Sequence, residues 1–303
     1  MRHLFTKISI CLLSSLLMLQ HLSANPNEPE AFADSIMAGK TGSEQSGGVL
    51  GLFAGGNAQL MKAYGMANIE AQLPNTTQTL FNLASVSKQF TAYAILLLEQ
   101  TGKLSLNDKV HDWIPELPDY GASITLRNLL HHSSGIASTD NLRLFANMPL
   151  DAPWSQKEEL ELIYRYPVLN FSPGEAYLYS NAGYSLLAEV IERASGMSYA
   201  GFLREYVFQP AGMHDSFVND GTADQSSIKA LGYQIVEDSF VPIQGDVETI
   251  YGATNVYTSV NDMMRWSRHL LSPAPEYKPL TEKMFVPTYT LNNGDTLNYT
   301  FGL

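Results

Sequence analysis

Phe81-Asn82-Leu83-Ala84-Ser85-Val86-Ser87-Lys88-Gln89-Phe90-Thr91 joins an extended segment to a long apolar helix. Residues 79–81 read as extended and residues 92–99 as helix. Ser85 then falls at or near a helix N-terminus, where backbone N–H groups lack partners and the dipole favours negative charge. Lys88 follows at i+3 and shares a face with Ser85. A neutral lysine amine is a base for a serine hydroxyl, and N-terminal N–H groups suit an oxyanion. The same four-residue pattern recurs at Ser226-Ser227-Ile228-Lys229, but Gly232 follows at once and no long apolar helix does. That second match reads as chance, and so short a pattern needs a second motif beside it.

The chain has 303 residues, enough for a sizeable core in one large or two small domains. Its net charge of −12 argues against nucleic acid and anionic membrane surfaces as partners. Arg2 and Lys7 precede an apolar run, residues 8–19, and Leu22-Ser23-Ala24 offers a cleavage site. Residues 1–24 therefore read as a signal peptide, the alternative being an uncleaved membrane anchor. Cys11, the single cysteine, lies inside that leader, so the mature chain has no disulfide, cysteine nucleophile or thiolate metal site. Export without disulfides suits a bacterial periplasm or secretion from bacteria. The histidines show no metal-ligand spacing, so no metal or other cofactor is implied.

Glycine, proline and capping signals punctuate the rest. Residues 31–38 read as a short helix, and residues 48–54 and 59–65 as the strands of a hairpin. Gly102 reads as the C-cap of the Ser85 helix. Thr125 caps a short helix, residues 126–132, and Ser155 with Glu158 forms a capping box. An apolar stripe marks a helix over residues 184–194, stopped by Gly196. Ser198 starts another helix that Pro210 ends. Residues 232–243 read as a hairpin, Ser259 with Asp262 caps a helix to Leu271, and Asn293-Gly294 turns into a strand over residues 297–303. Strands from both ends around a helical middle predict an α/β (α+β) fold: one antiparallel sheet flanked by helices, with a helical subdomain about 90–250 inserted.

Tyr179-Ser180-Asn181 follows the Pro173-Gly174 turn and precedes the Tyr184 helix, in a loop able to turn two polar side chains into a cleft. A phenol near cationic groups has a lowered pKa and moves protons, and an amide orients a carbonyl or the lysine. Taken alone, Tyr179 reads rather as a tyrosine packed with Tyr177 and Tyr184 in an aromatic patch.

With both motifs in this order, the chain resembles the serine β-lactamase and penicillin-binding superfamily. It is most similar to the class C-like branch, which also holds DD-peptidases, D-amino-acid amidases and family VIII esterases. The resemblance spans about residues 48–303. It includes Gly102-Lys103-Leu104-Ser105-Leu106-Asn107-Asp108, Leu129-Leu130-His131-His132-Ser133-Ser134-Gly135, residues 171–181, Pro210-Ala211-Gly212-Met213 and residues 252–271. It implies Ser85 as the acylated nucleophile, Lys88 as its base, Tyr179 as the proton shuttle to the leaving group, and Asn181 as the substrate-binding amide. The Ser85 N–H would be one oxyanion donor, and His132 falls at a position of structural role. Asn255 stands where the resemblance has glycine. The third motif of the superfamily, Lys-Thr-Gly or His-x-Gly, would follow Phe301-Gly302-Leu303. Lys40-Thr41-Gly42 lies on the wrong side of Ser85 to replace it. The expectation is thus a domain over residues 25–303 that is truncated at its C-terminus, with further strands missing.

The activity implied is acyl-enzyme hydrolysis of an amide, β-lactam or ester carbonyl, on a small-molecule or peptidoglycan-derived substrate, by a monomer. Two rivals stand beside it: a broad carboxylesterase of the same fold, and a non-catalytic module that binds penicillin or peptidoglycan.

Overall fold

The helix that follows Ser85 is apolar around its whole circumference, and the protein is wrapped around it. In the computed structural model it spans Lys88–Gln100, and Phe90, Ala92, Ala94 and Ile95 are 0 % exposed. A helix without a polar face must be buried on all sides. It starts a turn earlier than the apolar run predicts, because a 3-10 turn, Ala84–Ser87, leads straight into it. Thr101 and Gly102, the latter at φ +71°, end it as the glycine predicts. The model describes residues 28–303 apart from 56, 150, 151, 223–228, 244–247 and 288. The expected signal peptide, and Ser226, Ser227 and Ile228 of the second Ser-x-x-Lys pattern, lie outside the described residues.

Several helices cover the buried one, Lys278–Met284 among them. Asn181–Ser195 turns Tyr184, Leu187, Ala188 and Ile191 inward, all 0 % exposed, and ends at Gly196 in the left-handed region. Tyr199–Leu203 continues through a wider turn, Arg204–Phe208, which sets the Phe208 ring edge-on to Phe90 at 5.4 Å. Val260–Leu271, capped by the Ser259 hydroxyl on the Asp262 N–H, places Trp266 4.7 Å from Phe90. Its other side carries the hairpin of Gly48–Ala54 and Asn57–Tyr64. A three-stranded antiparallel sheet has Val256–Thr258 at its centre, between Phe81–Asn82 and Phe217–Val218. Thr125 caps its helix and the Ser155–Glu158 capping box forms, as the sequence predicts, and Thr125 also forms a box with Asn128. The fold is thus the expected mixture of α and β, but in place of one antiparallel sheet joining both chain ends the described strands form several small sheets, antiparallel except for Trp154–Ser155 with Glu248–Thr249. Among the described residues no helix is long and apolar enough to cross a membrane.

Three local expectations give way. Residues 297–303 form no strand: after one bridge, Thr290 with Thr296, the chain runs irregularly to its end. Phe301 is 0 % exposed against the His131 ring, and Gly302 at φ +80° has its Cα face 2.7 Å from the backbone of Lys88 and Gln89, measured to where a Cβ would stand. Burial of one aromatic plug and a positive φ override the alternation that predicts a strand. Pro210 does not end its helix; a final turn, Gln209–Ala211, carries it, and Gly212 at φ +76° stops the chain. Asn181 lies not in a loop but at the first position of its helix.

The segment after the helical middle touches the central helix at Gly252. Its φ is +90°, its carbonyl accepts the Thr91 hydroxyl at 2.6 Å, and a Cβ there would lie 2.3 Å from the Tyr184 carbonyl oxygen. Gly252→Ala must therefore bear both backbone strain and a clash with the backbone of the Asn181–Ser195 helix. The expected loss is about 3 kcal/mol or more in equilibrium urea unfolding; a variant within 0.5 kcal/mol, about the scatter of a neutral surface change, would contradict this packing.

Candidate active site

Two helix starts and the loop before the strand Val256–Thr258 converge on the Lys88 amine. It donates to Ser85 Oγ at 3.1 Å, to Asn181 Oδ1 at 2.8 Å and to the Ala253 carbonyl at 2.9 Å. Lys88 is 1 % exposed, whereas Ser85, one turn earlier, is exposed. The buried end of the pair is thus the amine and the open end the hydroxyl. Burial strips water from the ammonium form and pulls the Lys88 pKa down to about 7, with the Asp140 charge opposing the change.

Ser85 is presented on a constrained turn. Ala84 before it has φ +46°, a left-handed value that costs a residue with a side chain of order 1–3 kcal/mol. Neighbours hold it there: the Asn82 side chain accepts the Ala84 N–H at 2.9 Å, and the Leu83 N–H donates to the Val256 carbonyl at 2.9 Å. Beyond Ser85, the Ser87 hydroxyl accepts the Val256 N–H at 3.1 Å. The Ser85 N–H lies in the opening turn of a helical run, where N–H groups lack intrahelical acceptors.

Asn255 explains how the segment before the strand Val256–Thr258 supplies the Ala253 carbonyl. It occupies φ +68°, the conformation for which a glycine would be expected and which asparagine tolerates best among other residues. Its side chain then makes three bonds: it accepts from Asn82 at 2.7 Å and donates to the Glu248 and Ile250 carbonyls at 3.0 and 2.8 Å. The substitution therefore keeps the loop geometry and adds fasteners to it.

Tyr179 stands over the pair, with the Lys88 amine 4.8 Å from its ring centre. Its pKa is raised, by burial first, with the Ser85 hydroxyl opposing. This corrects the expected lowering: burial of the phenol itself disfavours the phenolate, and the Asp140 charge adds to that. Behind Tyr179 the His132 ring lies 4.3 Å away and accepts the Ser180 N–H on Nδ1 at 3.2 Å. Burial pushes the His132 pKa down to about 3. The backbone of His132-Ser133-Ser134-Gly135 backs the same loop, accepting the N–H groups of Leu178, Gly174 and Asn170. The structural role expected of His132 is visible here as a seat for the Tyr179 loop.

All four residues singled out in the sequence, Ser85, Lys88, Tyr179 and Asn181, meet at one place. Asp140, the Ala253 carbonyl and the Asn82–Asn255 pair join them without having been singled out. Among the described residues no group of three or more His, Cys, Asp or Glu is arranged to hold a metal ion.

Comparison with known proteins matches the geometry. A 35 % identical relative, penicillin-binding protein 4* of Bacillus subtilis, aligns over 261 residues, 82 % of this chain and 57 % of the relative. The D-aminopeptidase of Gluconobacter oxydans is 27 % identical over 85 % of this chain and 48 % of its own length. The octameric penicillin-binding protein homologue from Pyrococcus abyssi superposes with a TM-score of 0.73 at 28 % identity, covering 90 % of this chain and 63 % of that one. The chain thus spans about half the length of the curated relatives it matches. The family model described as Beta-lactamase matches residues 32–303, and the chain belongs to that family.

Proposed function

We propose that the protein is a serine hydrolase of exported location in a bacterium, working through an acyl-enzyme on Ser85. One observation carries this reading: a lysine with a pKa near 7 and 1 % exposure lies 3.1 Å from an exposed serine hydroxyl. Such an amine is partly neutral at physiological pH, which is what a general base requires. The export part of the proposal rests on the leader read in residues 1–24.

In the first half-reaction Ser85 Oγ attacks the substrate carbonyl carbon while its proton passes to Lys88 Nζ. The Ser85 N–H donates to the oxyanion. As the tetrahedral species collapses, the Tyr179 hydroxyl gives its proton to the leaving nitrogen or oxygen and regains one from Lys88. A raised phenol pKa suits this order, since Tyr179 begins protonated. Asn181 binds the substrate with its free surface while its Oδ1 orients Lys88. In the second half-reaction water, deprotonated by the same groups, attacks the Ser85 ester and releases the acid. The relatives named as a penicillin-binding protein and a D-aminopeptidase favour amides as substrates, β-lactam or D-amino-acid linked, over esters.

A fluorophosphonate or labelled penicillin is expected to add covalently to Ser85, found by mass spectrometry of the digest. Labelling at Ser226 instead, or unchanged labelling in Ser85→Ala, would contradict the assignment. Lys88→Ala is expected to slow the reaction by ~10²–10⁴-fold or more while the circular dichroism spectrum is kept.

The same base makes a prediction for stability. The folded Lys88 pKa, about 7, lies below the unfolded value, 10.5. Between these two values the unfolded state binds more protons, so stability contributed by this site rises with pH and is lost as pH falls. Relative to Lys88→Met, the wild type is expected to gain up to ~1.4 kcal/mol per pH unit in this window. A flat difference between pH 7 and 10 in urea unfolding would show that Lys88 is not held neutral.

A further inference from the structure

Asn181 reaches Lys88 only because something holds its amide the right way round. Its Oδ1 accepts from Lys88 at 2.8 Å and its Nδ2 donates to Asp140 Oδ2 at 2.9 Å. An ionised carboxylate has acceptors only, so it fixes the NH₂ end of the amide and turns the oxygen to the lysine. We propose that Asp140 is a positioning residue for the Ser85–Lys88 pair, locking the Asn181 amide and placing a carboxylate behind the lysine amine. The effect on turnover rests on the acyl-transfer reading above; the effect on Lys88 does not.

The element that carries Asp140 is built to stay in place. Its helix, Thr139–Phe145, is short and would be marginal alone. Two buried polar contacts fasten it on either side of Asp140. The Thr139 hydroxyl donates to Glu159 Oε1 at 2.6 Å, and Glu159 also takes the Trp154 N–H at 2.9 Å. Arg143, 1 % exposed, pairs with Glu248 at 2.8 Å and lies 4.5 Å from the Trp154 ring centre. A residue whose only task was surface solubility would not need its helix fixed in this manner, and a carboxylate that orients another side chain does.

The groups facing the lysine amine separate cleanly. Tyr179 and Tyr184 present rings at 4.8 and 5.6 Å, and burial raises both their pKa values. His132 is pushed down to about 3 by burial and by Lys88 itself. Ser85 and the Ala253 carbonyl are neutral. Among the groups named here, Asp140 is the one whose charge favours the protonated lysine. Removing that charge leaves desolvation unopposed, so the amine should lose its proton at lower pH.

The experiment follows Lys88 Nζ directly, by ¹⁵N NMR titration of lysine-labelled protein, assigned through the signal lost in Lys88→Met. The midpoint is expected to fall by about half a pH unit or more in Asp140→Asn and Asp140→Ala, and to stay with the wild type in Asp140→Glu. Labelling of Ser85 by a fluorophosphonate, measured above the midpoint, is expected to be about tenfold or more slower in Asp140→Ala than in Asp140→Asn, which keeps an acceptor for Asn181. An unchanged midpoint in Asp140→Asn overturns the proposal, whether or not Asp140→Ala folds. A shifted midpoint in a protein whose Ser85 never labels supports the coupling and refutes the acyl-transfer reading instead.

Discussion

Removing the Lys88 ammonium from water is the act on which the site depends. An isolated ammonium in an apolar interior is costly enough that the group gives up its proton instead. The helix that places it there is apolar on every side, so its first turn is dragged inward with the rest. Three acceptors then wait at 2.8–3.1 Å, enough to hold the amine in one place without restoring full hydration. A lysine on the same helix with a solvated face would be fully protonated at neutral pH.

Several irregular features follow from presenting that lysine to an exposed hydroxyl only one turn away. Ala84 and Asn255 both take left-handed conformations, and Asn82 bonds to each of them. The strand pair of Phe81–Asn82 with Val256–Thr258 ties the approach to Ser85 to the segment that supplies the Ala253 carbonyl. Strain of this sort persists only where surrounding bonds over-determine it. The end of the chain contributes as well, since Gly302 lies against the backbone of Lys88 and Phe301 plugs the space beside His131.

Ser85, Lys88, Tyr179 and Asn181 were legible in the sequence because each belongs to a short pattern at a turn or helix start. The buried helix, the hairpins within residues 48–64 and 233–242 and the caps were legible for the same reason: their signals are local. Asp140 and the Ala253 carbonyl were not, because their contacts join positions 41 and 165 residues apart and one of them is a bare backbone oxygen. The segment 297–303 alternates like a strand, yet tertiary burial of Phe301 decides its path. The raised Tyr179 pKa was not legible, because it depends on how far tertiary packing buries the phenol. The standing of Asn255 in a glycine-like conformation was legible as a departure, but its three side-chain bonds were not.

The central claim is that a neutral Lys88 activates Ser85, and the pH dependence of acylation tests it most directly. Stopped-flow measurement of the Ser85 acylation rate under single-turnover conditions, from pH 5 to 9, is expected to rise through a single midpoint near 7, the pKa that burial gives Lys88. The same rise should be absent in Lys88→Arg, whose guanidinium stays charged throughout. A rate that climbs only above pH 9, or one that is flat across the range while Lys88→Arg acylates normally, would contradict the account.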